Sequence, residues 1–309
     1  MDRFPQSSAP LGNLQKFMAT GSLAVAGALW GTGFVFGKIA LREMDVSMNV
    51  VMRFLFGSLF LAPVLLRRTR KFTRKDFWIM LLASSVGIPL EFLVQFKGLE
   101  LTTVSHASLM VGTLPILLAL GSFVFLGEEL GFFDWCALAL SGIGVVLITI
   151  SKSSSDAPRS SVKGDVLIVI SMVAVVALAL VTKHLMDAYD PMKVTVAMIY
   201  SGTPFLLLWL FIVDAPRFSF SPTAWFAVAA QGLLATALAY LLWNWGMARV
   251  PAARAGVFFN MEPLVGAALG VLILHETLGS MAIVGGAMIL GSAVYVSLRI
   301  RPAEVNRRH

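Results

Sequence analysis

Long apolar stretches separated by short polar ones run through the whole chain. A helix that crosses a bilayer needs about 20 apolar residues. Runs of that length, bounded by charge or by Gly and Pro, predict ten spans at 18–39, 46–66, 77–97, 103–126, 132–150, 164–185, 191–213, 223–245, 251–274 and 278–299. Period-two alternation is absent from them, so they read as helices rather than barrel strands. The low-complexity connection "SKSSSDAPRSSVKG", Ser151 to Gly164, divides the chain almost in half. The predicted organisation is a polar tail over 1–17, a five-helix unit over 18–150, a linker over 151–163, a second five-helix unit over 164–299 and a tail over 300–309. The first apolar run is too long for a signal-peptide core, so it predicts an uncleaved span.

Composition agrees with this pattern. Of 309 residues, 58% are apolar and 13% charged, with mean hydropathy +0.83; soluble domains are about half apolar and about a quarter charged. The chain is therefore expected to be an all-α integral membrane protein. The net charge of +7 comes from Lys and Arg gathered between the apolar runs. That distribution fits contact with membrane lipid and not nucleic acid. Cys136 is the only cysteine, so no disulfide and no cysteine-based metal site is expected. With the N-terminus inside, sixteen basic residues fall on the cytoplasmic side and seven on the other, with Arg53 inside a span. The strongest contribution is "RRTRKFTRK", Arg67 to Lys75. Both termini are expected in the cytoplasm, with the chain multi-pass in the plasma membrane, the inner membrane if the cell is bacterial.

The halves resemble one another. At an offset of 148 residues, Gly98, Ala107, Pro115, Ala119, Leu126, Glu128, Leu130 and Gly131 meet Gly246, Ala255, Pro263, Ala267, Leu274, Glu276, Leu278 and Gly279. An offset of 145 pairs Lys38 with Lys183, Asp45 with Asp190 and Gly57 with Gly202. Five spans per half is an odd number, so a duplicated second half sits upside down relative to the first. Inverted repeats place a binding site near the midplane between the halves.

These residues resemble the drug/metabolite transporter superfamily, in particular its ten-helix EamA-type branch with two EamA domains. "WGTGFVFGK" (Trp30 to Lys38) is similar to the family's first-helix motif, and Arg53 stands where its second helix carries an arginine. "LPILLALGSFVFLGEELG" (Leu114 to Gly131) and "EPLVGAALGVLILHETLG" (Glu262 to Gly279) resemble the Pro, then Gly-Glu, signature of the fourth and ninth helices, with His275 where Gly is usual. The resemblance covers about residues 20 to 298 and implies a transporter of metabolites or drugs, mostly outward across the plasma membrane. It names no substrate.

Charge at bilayer depth costs several kcal/mol unless paired, so each such group is a site candidate. Glu262 lies roughly 16 Å into its span at about 1.5 Å per residue, and Pro263 beside it predicts a kink with free backbone groups. Its carboxyl either meets a cationic group or proton, or stabilises the kink. Glu91 and Gln95 share one helix face. Arg53 is too deep to lack a partner, unless it snorkels to the surface. Tyr240, Trp243 and Asn244 share a face, as do Trp30 and Phe34, and aromatic walls suit amphipathic molecules or cations. Asn260 is polar at depth. Lys38 and Lys183 are read as complements to the C-termini of their own helices, Pro115 and Pro263 as matching interruptions, and Glu128, Glu129 and Glu276 as caps or anchors at span ends. His106 is read as a solvated interfacial histidine.

The expected substrate-binding set is Trp30, Phe34, Glu91, Gln95, Tyr240, Trp243, Asn244, Asn260 and Glu262. Arg53, Lys38, Lys183, Pro115 and Pro263 form the structural or gating set. The expected cavity is lined by the first, third, fourth, sixth, eighth and ninth spans. No cofactor or metal is expected. The expected function is secondary transport of a small amphipathic metabolite, such as an amino acid, or of a drug-like cation, with protons as an open coupling ion and oligomeric state open between monomer and homodimer. An intramembrane enzyme lacks GxSxG, HExxH and P-loop motifs here. A channel or receptor is the second alternative, and duplicated halves with a proline interruption in each favour alternating access over it.

Overall fold

Every regular element in the computed structural model is a helix among the residues it describes: 13–65, 72–126, 130–151, 161–213, 216–247 and 256–299. They follow the ten predicted spans. The first to third are Asn13–Ala40, Val46–Leu65 and Arg74–Leu101, and the fourth is broken into Val104–Val111 and Leu114–Leu126. Next come Phe132–Ile150, Val162–Ala188 and Pro191–Val213 as the fifth to seventh. The eighth runs as Pro222–Ala230, a π-helical stretch Gln231–Leu238, and Ala239–Met247. A 3-10 turn, Gly256–Asn260, opens the ninth helix, Met261–Leu274, and Ser280–Arg299 is the tenth. Among the described residues, seven helices are long and apolar enough to cross a membrane, and two shorter apolar ones cover Phe258–Leu274 and Ser280–Tyr295. Large side chains such as Leu59, Leu82, Ile143 and Phe211 point outward from the bundle, as a lipid-facing surface requires.

Helix ends are fixed by local chemistry. Thr73, Thr103, Ser161 and Ser221 each accept a backbone N–H in the first turn of the third, fourth, sixth and eighth helices, satisfying donors that a helix start leaves open. Pro115 and Pro263 both stand in the first turn of a helical piece, after the Gly112–Thr113 break and after the 3-10 turn. There a missing N–H costs little. The kink expected within the ninth span is thus a change of winding at its start.

The packing repeats across the halves. The third helix lies along the sixth and seventh, the first along the eighth and ninth, the second along the seventh and eighth, and the fourth against the sixth and ninth, while the fifth pairs with the tenth. Shifting every helix by five exchanges third–sixth with eighth–first, third–seventh with eighth–second and fourth–sixth with ninth–first. It returns second–seventh, fourth–ninth and fifth–tenth to themselves. That is the pattern of two inverted five-helix repeats related by a two-fold axis. It also defines two groups, one of the third, fourth, sixth and seventh helices and one of the first, second, eighth and ninth.

Glycines set the closest crossings. A β-carbon on Gly144 would fall 2.6 Å from the Gly285 carbonyl oxygen, and one on Gly31 would fall 2.8 Å from the Glu262 carbonyl oxygen. These close approaches join helices within the chain. Outside the spans, Glu43 accepts hydrogen bonds from Ser221 through both Oγ and backbone N, which hold its carboxyl below the usual carboxylate range.

Candidate functional site

Arg53 anchors the polar centre. Only 5% exposed, it donates from Nε to Thr236 Oγ1 at 2.9 Å and from Nη2 toward the Ala235 carbonyl at 3.5 Å. Its guanidinium carbon lies 4.7 Å from the Phe92 ring centre and 5.5 Å from that of Phe96. Both acceptors belong to the π-helical stretch, whose wider winding releases backbone groups from the regular ladder. Gly232 lets the backbones meet, since a β-carbon there would sit 2.7 Å from the Arg53 carbonyl oxygen. Arg53 is buried and bonded, not snorkelling.

Around it gather two carboxyls and a phenol. Glu91, Glu262 and Tyr240 lie within electrostatic reach of Arg53, and Glu91 also of Glu262. Glu91 is 9% exposed and Glu262 half-buried at the start of the ninth helix, where a carboxylate is favoured by the helix dipole. Two acids against one guanidinium leave one negative charge in excess when both are ionised. A proton or an ammonium group removes that excess.

A cavity of about 90 Å³ adjoins this cluster, lined by Phe54, Glu91, Phe92, Thr195, Ile199 and Tyr240 among others. Its walls come from the second, third, sixth, seventh and eighth helices. The first, fourth and ninth helices, expected among the walls, contribute no residue to this lining. Those helices approach one another closely at Gly27, Gly31 and Gly266. Glu91, not Glu262, supplies the cavity's carboxyl.

The aromatic residues separate. Trp30 stacks on Phe259 with ring centres 5.7 Å apart and planes 6° from parallel, and it also meets Tyr240 at 5.5 Å and Trp243 at 5.1 Å. This cluster joins the first, eighth and ninth helices, with Tyr240 at its border with the cavity. Phe34 instead enters the main hydrophobic core. Asn244 is buried and donates to Thr195 Oγ1 at 3.0 Å, Gln95 is buried one turn beyond Glu91, and Asn260 is buried at the junction of 3-10 turn and helix.

Sequence reasoning missed Phe259, Thr195 and Thr236. A phenylalanine one residue before Asn260 was the available signal for the first, and a threonine at depth opposite an arginine for the last.

The ends differ from expectation in two places. Lys38 stands in the last turn of its own helix, but its ammonium donates beyond it, to the carbonyls of Leu99 (2.6 Å), Glu100 (3.2 Å) and Thr102 (2.6 Å), closing the third helix. The reason is reach, since the third helix ends beside it. His106 is not solvated. It is 2% exposed, with Nδ1 3.4 Å from Asp165 Oδ2, while Thr102 Oγ1 donates to Asp165 Oδ1 at 2.6 Å. The sixth helix covers the corner that the sequence places at an interface. Glu276 caps the fourth helix, with Oε1 accepting from Val104 N and Oε2 from Ser105 N, both at 2.7 Å. Lys183 lies in the sixth helix, with its side chain outside the described residues, as are Glu128 and Glu129.

Known proteins resemble this chain along most of its length. Residues 19–150 and 162–298 match the EamA-like transporter family. The uncharacterized transporter YetK of Bacillus subtilis is 27% identical, the alignment covering 87% of this chain and 84% of that protein. A probable terminal-alkyne amino-acid exporter of Streptantibioticus cattleyicolor is 24% identical over 91% of this chain and 94% of its own. A crystal structure at 18% identity superposes with TM-score 0.64, covering 91% of this chain and 96% of that one. At that identity the superposition speaks for the fold alone.

Proposed function

Because the chain belongs to the EamA-like transporter family, its work is transport, and we propose that it exports a small amphipathic compound carrying a positive amine, such as an amino acid or drug-like cation, across the plasma membrane by alternating access. One observation carries the choice of charge: two acids lie within electrostatic reach of one guanidinium, beside a cavity whose other walls are mostly aromatic and aliphatic. An amine would settle toward Glu91 while its apolar part meets Phe54, Phe92 and Ile199. Arg53, already bonded to Thr236, acts as a fixed positive charge that orients a solute carboxylate or limits how many cations enter. Similarity to an amino-acid exporter supports the amino-acid branch.

The halves rock about this centre, and Glu262 at the head of the ninth helix carries the amine or a coupled proton from one access state to the other. Reconstituted protein, tested with labelled amino acids and cationic dyes with and without a pH gradient, decides this. Glu91→Gln and Glu262→Gln are each expected to lower cation flux at least about tenfold, the change given by about 1.4 kcal/mol of lost differential binding. Stimulation by the gradient should vanish in the variant that removes the proton site. Fluxes unchanged in both variants would overturn the assignment and leave the carboxyls structural.

A further inference from the structure

The turn between the third and fourth helices is two residues long, Thr102 and Thr103, so the open carbonyls of one helix and the open amides of the next crowd into one corner. Part of that need is met from nearby. Thr103 Oγ1 accepts from His106 N, and Asp165 of the sixth helix holds Thr102 and His106. These partners belong to the same helix group as the corner.

The other partners do not. Lys38, from the first helix, places its ammonium on three carbonyls, and Glu276, beyond the ninth, places one carboxylate oxygen on each of two amides. A cation on a helix C-terminus and an anion on an N-terminus are the favourable pairings, and charged hydrogen bonds are the stronger kind. Both come from the group built of the first, second, eighth and ninth helices, and Glu276 lies within electrostatic reach of Lys38. His275, in the left-handed conformation with φ 54°, turns the chain so that Glu276 points back at the corner. The first and third helices otherwise pack mainly on different neighbours.

We propose that Lys38 and Glu276 form a latch that holds the two helix groups closed at the end of the bundle where the first and third helices finish. Opening that end requires both side chains to release the Thr102–Thr103 corner. The latch rests on the alternating-access reading but on no particular solute. Water can serve the corner and the two released charges once they separate, so the closed and open arrangements differ by little, as a gate needs.

Sided labelling tests it. In a Cys136→Ser background, Met198→Cys puts a thiol on the cavity wall, and a membrane-impermeant maleimide is supplied from one face at a time. Labelling from the latch face should be slow with the latch intact and rise at least about tenfold in Lys38→Met and in Glu276→Gln, while labelling from the opposite face falls. Glu276→Asp, too short to reach both amides, should give an intermediate rise and serves as the readout should Glu276→Gln fail to fold. Unchanged rates in folded protein, or equal rises from both faces, would overturn the latch. The assay needs no solute: labelling that shifts while no amine is transported condemns the substrate reading alone, and amine transport with unmoved labelling condemns the latch alone.

Discussion

His275 shows how one side chain departs from a pattern for a reason visible in its backbone. It sits past the last turn of the ninth helix with φ 54° and ψ 34°, exposed, in the conformation that glycine adopts most cheaply. The left-handed conformation costs an L-residue roughly 1–2 kcal/mol. His275→Gly is therefore expected to stabilise the folded protein by about 1 kcal/mol, measured as a raised midpoint of thermal unfolding in detergent. A lowered midpoint would mean that the histidine ring contributes more than its backbone costs. His106 gives the complementary lesson. Its place at the start of a span suggests water, but its partner Asp165 is 59 residues away, and no local pattern joins them.

At the scale of the element, the eighth helix is the least regular and the most telling. Its π-helical stretch hands the Ala235 carbonyl and the Thr236 hydroxyl to Arg53 while Gln231 Nε2 donates to the Gly33 carbonyl at 2.8 Å, so one irregular segment ties the second and first helices together. Thr236→Val keeps the shape and removes the acceptor of the Arg53 Nε proton. Leaving that buried donor without Thr236 is expected to cost about 1–3 kcal/mol, read by the same unfolding measurement. A loss below about 0.5 kcal/mol would show that another group replaces the hydroxyl.

The spans themselves were legible because the bilayer imposes their length and polarity on the sequence. The 3-10 and π windings were not, because they answer to partners in other helices. Likewise Glu91, Tyr240 and Arg53 were legible as charge and phenol at depth, whereas Phe259 and Thr195 join the site only through tertiary placement. Lys38 was visible as a cation at a helix end, but which helix it closes depends on how the third helix lies beside the first.

For the whole molecule, the repeat makes a prediction that the described residues do not contain. The same offsets that align the halves pair Lys38 with Lys183 and Glu276 with Glu128. If both halves use one design, Lys183→Met and Glu128→Gln should raise maleimide labelling of the cavity thiol from the face where the second helix ends and the third begins, the reverse of the latch variants. Labelling that follows the latch variants' direction would show that the two ends are closed by different means. The winding change at the head of the ninth helix bears on the same motion. Five residues wound as 3-10 rise about 2.0 Å each and turn about 120°, against about 1.5 Å and about 100° in an α-helix. Rewinding Gly256–Asn260 would draw Glu262 along the axis by about 2.5 Å and swing it through about 100°. A short spiral stair of this kind can present one acid to two directions about a quarter turn apart in succession while the rest of its helix stays rigid.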